Sequence, residues 1–87
     1  MNVKYTYNGW TNYETWLACL WLSENEHSYR LLMSVKDIDD DVYGQAEWLG
    51  EQMRMQLDQE IAVPCLWSDL LNAAFSQINW REIVENL

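Results

Sequence analysis

The sequence predicts an all-α fold: a compact bundle of four to five short helices with a short extended N-terminal arm. Three observations lead there. Only three Gly and one Pro interrupt 87 residues. Apolar residues recur at three- and four-residue spacings over most of the chain. Several helix-start signatures, a small polar residue followed three positions later by Glu, punctuate it. At this length one domain is expected, spanning 1–87, with 1–10 as the arm and 11–87 helical. Six Trp, five Tyr and one Phe supply the bulk that a small core needs.

Each element has its own reason. In the arm, Val3, Tyr5 and Tyr7 alternate with polar residues, and Asn8-Gly9 signals a turn. Thr11-Asn12-Tyr13-Glu14 reads as a capping box starting the first helix, which runs to about Leu22. The apolar run Trp16–Leu22 predicts burial on most sides, with Trp16, Leu17, Leu20 and Trp21 anchoring the core and Trp10 left open. Ser23-Glu24-Asn25-Glu26 offers a second box, for a helix from about 25 to Val35 that buries Tyr29, Leu32, Met33 and Val35.

The acids at 37–40 break that pattern and begin the longest helix, from about residue 40 to Ile61. Val42, Ala46, Leu49, Met53 and Leu57 form its apolar face. Gly44 and Gly50 either permit close packing or simply weaken it. After Pro64 a fourth helix covers about Cys65–Gln77, its buried side drawn as Trp67, Leu70, Leu71, Ala74 and Ile78. Asn79 caps the last segment, with Glu82 at N3 and an Ile78–Ile83 staple, and Trp80, Ile83, Val84 and Leu87 dock it.

Most chemistries find no support. Asp37, Asp39 and Asp41 fit the first positions of a calcium loop, but Val42 and Trp48 stand where Gly and the bidentate Glu belong. His27 is the sole histidine, and no HExxH, zinc spacing, phosphate loop or nucleophile elbow accompanies it. Cys19 and Cys65 read as reduced core thiols, a disulfide being the alternative. No enzyme activity, metal or cofactor is expected. The opening MNVKYTYNGW has no signal-peptide pattern, and no apolar run reaches membrane-spanning length, so a cytoplasmic protein without membrane contact is expected.

Charge is the strongest global signal. Fourteen acids stand against five Lys and Arg, a net charge of −9. Such a surface repels phosphate backbones and attracts basic surfaces, which argues against direct nucleic-acid binding. At 100° per residue, Asp40, Glu47, Glu51 and Asp58 fall within about 20° of one line, opposite the apolar face of the long helix. Their axial spacings of about 10, 6 and 10 Å can imitate a run of phosphates, with Arg54 at the edge. An ordinary solvated face is the plainer reading. Trp48 and Met55 flank the row off the apolar face, and form an apolar contact patch if no other element covers them.

The opening GWTNYETW (Gly9–Trp16) and the ending LLNAAFSQINWREI (Leu70–Ile83) resemble those of a small family encoded by phages, plasmids and other mobile elements. The resemblance carries no catalytic role and does not extend to about residues 24–63. It implies a setting of counter-defence, in which small acidic proteins inhibit CRISPR effectors or restriction enzymes. The resulting expectation is a non-enzymatic inhibitor. It would bind a basic, nucleic-acid-handling protein of the host through Asp40, Glu47, Glu51 and Asp58, with Trp48 and Met55 beside them, and block DNA access. The alternative is a structural or oligomerising accessory protein, a homodimer joined through Trp48 and Met55.

Overall fold

A computed structural model describes residues 7–87; Val3 and Tyr5 of the arm lie outside that range. Among the described residues every named element is an α-helix, in the order α1 (Tyr13–Glu24), α2 (Glu26–Met33), α3 (Val35–Ile38), α4 (Val42–Glu60), α5 (Leu66–Ser76) and α6 (Trp80–Glu85). Five match the expected helices, and α3 is one added turn.

The arm ends in a tight turn. Tyr7 and Trp10 exchange backbone hydrogen bonds of 2.9 and 2.8 Å around Asn8 and Gly9. Both turn residues have positive φ, 49° and 86°, which is why Asn-Gly occupies them. The turn lays Tyr7 edge-on to Tyr13, centroids 5.0 Å apart, and against Trp16 at 4.8 Å.

The first cap falls one residue later than the spacing predicts. Asn12, not Thr11, caps α1: its Oδ1 accepts the Thr15 N–H at 2.9 Å and the Thr15 hydroxyl at 2.6 Å. Its amide nitrogen meanwhile donates to the Gln77 carbonyl at 2.7 Å, so one side chain serves both the start of α1 and the chain beyond α5. Thr11 is occupied otherwise, its N–H donating to Glu82 Oε1 at 2.9 Å. The second cap is likewise Asn25 rather than Ser23. Its N–H closes α1 on the Trp21 carbonyl, and its side chain opens α2 on the Ser28 N–H.

α2 stops at Met33 rather than Val35. The Ser34 hydroxyl donates back to the Arg30 and Leu31 carbonyls, and the single turn of α3 follows. The acids at 39–41 build the start of α4. Asp39 Oδ1 accepts the Asp41 N–H, Asp41 Oδ1 accepts the Tyr43 N–H, and Gln45 donates to the Asp39 carbonyl. A side chain on Gly44 would meet the Asp39 carboxylate, and a Cβ on Gly50 would lie 3.1 Å from the Trp80 ring. Both glycines therefore allow close approach, the second bringing α6 against α4.

The core is Leu22, Leu32, Val35, Ala46, Leu49, Ile83 and Val84, drawn from every helix except α5. The α4 face is as the periodicity predicts, with Val42 and Met53 packed beside Ala46 and Leu49. The α1 reading needs correction. Trp21 is 68% exposed, Trp16, Leu17 and Leu20 are half-buried, and the fully buried residues of α1 are Thr15 and Leu22. Trp10 packs half-buried against the core. Tyr29, Met33 and Leu87 are exposed where burial was expected. Cys65 is exposed as well, and both thiols are free.

A polar lock joins the two ends of the chain. Thr15 is fully buried, and its hydroxyl accepts the Asn79 N–H at 2.9 Å while donating to Asn12. Asn79 caps α6 through the Glu82 N–H at 3.1 Å. The expected capping box at α6 is thus only half local. Glu82 reaches across to Thr11, and the Asn79 N–H goes to Thr15 instead.

Candidate interaction surfaces

Two surfaces stand out, one acidic and one apolar. On α4, Glu47, Glu51 and Asp58 are solvent-exposed on one side of a continuous helix. Asp40 is exposed too, but it lies in the turn before the Asp41 cap. Helical spacing therefore does not carry the row back to it. Asp58 is partly neutralised by Arg54, 3.4 Å away. Arg54 also sits over the Phe75 ring at 5.5 Å, which ties this end of α4 to α5. The unpaired part of the row is Glu47 and Glu51, one turn apart.

Charge compensation elsewhere is local. Arg30, Arg54 and Arg81 each reach a carboxylate four residues away on their own helix, Glu26, Asp58 and Glu85. Among the described residues Lys36 is the only Lys or Arg without an ion pair. None of the remaining carboxylates has a cation partner among the described residues, and all but the half-buried Glu14 and Glu82 are exposed.

The predicted apolar flank does not hold as a pair. Trp48 is half-buried against the core, while Met55 is 51% exposed. The physical reason is position. Trp48 stands beside Leu49 and Gln45 near the middle of the helix where neighbours crowd, and Met55 lies two turns further along.

The larger apolar surface is elsewhere, on α5. None of its residues is buried. Leu66, Trp67, Leu70, Leu71 and Ala74 share one side of the helix at 100° per residue, and all are exposed, Trp67 by 64% and Leu70 by 52%. The side expected to face the core thus faces out; of the residues assigned to it, only Ile78, beyond the helix, is half-buried. The opposite side holds the domain, through Phe75 against Trp80, centroids 5.5 Å apart, and under Arg54. Beside Ala74, a groove of about 230 Å³ runs between α5 and α1, walled by Leu17, Ala18, Trp21 and Ile78, with Glu14 at its lip. A second groove, of similar volume, opens between Trp10, Trp16, Cys19 and Leu20.

The sequence carried a signal for this surface that periodicity alone does not decode. An amphipathic pattern says that one side avoids water, not which chain covers it. No group of His, Cys, Asp and Glu in metal-holding geometry occurs among the described residues, and no helix there is long and apolar enough to cross a membrane.

A model of a protein family, described as a family of unknown function, DUF7249, matches residues 3–86. The chain belongs to the DUF7249 family. The match spans both resembling ends and the middle between them, so the acidic helix and the α5 surface fall inside the DUF7249 region. No curated protein and no solved structure matches the chain.

Proposed function

We propose that this DUF7249 protein is a non-enzymatic interaction protein that binds a basic, nucleic-acid-handling protein surface and blocks access of nucleic acid to it. A CRISPR effector or a restriction enzyme has the right surface chemistry. One observation carries the reading: Glu47 and Glu51 face solvent on α4 without a compensating cation, while each arginine pairs with another carboxylate on its own helix. Such a surface attracts a basic channel over several ångströms and speeds encounter with it. Glu47 and Glu51, about 6 Å apart along the axis of a rigid helix, present negative charge at intervals of several ångströms, as a nucleic-acid backbone does.

The experiment has two stages. The tagged protein is used to capture partners from a bacterial host lysate, and a nucleic-acid-handling protein is expected among them. Affinity for that partner is then measured against salt for the native chain and for Glu47→Gln with Glu51→Gln. The double variant should bind more weakly and with a shallower salt dependence. Unchanged affinity and an unchanged slope remove the acidic helix from the account.

A further inference from the structure

We infer that the exposed side of α5, together with the α1 groove beside it, is a homodimer interface in which two copies pack α5 against α5 antiparallel. This inference is independent of the charge-driven reading above, because it rests on a different surface.

Size is the first argument. Leu66, Trp67, Leu70, Leu71 and Trp21 are between 42% and 68% exposed. Together they offer on the order of 600 Å² of apolar residue surface, at the top of the roughly 300–600 Å² of the largest patch on a typical monomer. It approaches the roughly 800 Å² that each partner contributes to a stable interface. No charged residue falls within the arc from Leu66 to Leu71: Asp69 lies at its edge, about 60° beyond Leu66 at helical spacing, and Glu14 sits only at the lip of the groove.

Self-complementarity is the second argument, and it selects a second copy over other occupants. A two-fold interface needs a projection and a matching recess on one surface. Here Trp67 projects and the groove at Ala74 recedes, on the same side of the same helix. They are seven residues apart, about 10 Å along the axis. A two-fold placed between residues 70 and 71 brings Trp67 of each copy onto Ala74 of the other, and seats each indole between Leu17, Trp21 and Ile78. Leu70 and Leu71 then each meet their own counterparts on either side of the axis.

Sedimentation and cross-linking test the arrangement on the full chain. A concentration-dependent dimer is expected, with a dissociation constant in the micromolar range or below. Because each chain carries −9, added salt should tighten it, the reverse of the effect on a basic partner. Trp67→Ser should weaken it by about thirtyfold or more, and Leu70→Glu should abolish it. Both side chains are exposed in the single chain, so the far-ultraviolet circular dichroism should stay native and separates loss of dimer from loss of fold. The register is tested in a Cys65→Ser background. Leu71→Cys, next to the axis, should oxidise to a covalent dimer. Leu66→Cys should not, because its two copies stand about 13 Å apart along the helices. A chain that remains monomeric at about 100 µM overturns the inference. So does a dimer insensitive to Leu70→Glu, or one that cross-links through Leu66→Cys rather than Leu71→Cys. A monomer that loses a different protein partner on Leu70→Glu assigns the surface to that partner instead, and equally overturns it.

Discussion

Replacing Thr15 by Val should be among the most damaging conservative changes in this protein. The two side chains have nearly the same shape, so packing in the fully buried site is preserved. The hydroxyl is what disappears. It donates to Asn12 Oδ1 at 2.6 Å and accepts the Asn79 N–H at 2.9 Å, linking the caps of α1 and α6. The first loss costs about 1 kcal/mol, since Asn12 keeps the Thr15 N–H as a partner. The second leaves a part-buried backbone N–H without an acceptor, which costs about 1–3 kcal/mol. Together roughly 3 kcal/mol is at stake, a large share of the stability of a domain this size. For a domain of this length that lowers Tm by roughly 10–20 °C. Thr15→Ser keeps both hydrogen bonds and loses one methyl, about 1 kcal/mol. Urea and thermal unfolding followed by circular dichroism give the order directly. A Val variant as stable as the native chain, or more stable than the Ser variant, refutes the lock.

Other expectations follow from the same packing. Gly50→Val should destabilise by about 2 kcal/mol in urea unfolding, because its Cβ would press on the Trp80 ring and force α6 away from α4. Leu49→Ala, at a fully buried site, should cost about 2–5 kcal/mol. Trp21→Ser, measured at low protein concentration, should stay within about 0.5 kcal/mol despite the larger side chain removed, because the indole is two-thirds exposed. Titration with a thiol reagent should show one fast equivalent per chain from exposed Cys65 and a slower one from half-buried Cys19.

The placement of most of the acidic row was legible in advance. Glu47, Glu51 and Asp58 fall on one side of α4 because a 19-residue helix fixes the angle of each residue from its number alone. Asp40 was misplaced because the start of α4 is decided by which of several adjacent aspartates caps it. Asp39 and Asp41 accept backbone N–H groups at the turn, and Asp40 is left outside the helix. Whether another element covers Trp48 stayed open for a different reason. Its angle is right, but burial depends on what lies above that angle, and neighbours that are distant in sequence supply it.

The sequence by itself determined the all-α class, the number of principal helices and most of their limits. Those properties follow from local rules: the 3.6-residue repeat, small polar caps, and the scarcity of Gly and Pro. It also determined the charge, which is a sum and needs no structure. Tertiary structure alone decided how the helices are arranged. It turned the Trp-rich α1 from a core pillar into a half-buried wall, and gave the centre of the domain to aliphatic residues from five helices. It joined Thr11, Asn12 and Thr15 to Gln77, Asn79 and Glu82, partners 64 to 71 residues apart that no local pattern relates. And it left the apolar side of α5 facing water. A helix pattern records that a surface avoids solvent; only the packed chain shows whether its own residues or a second molecule must cover it.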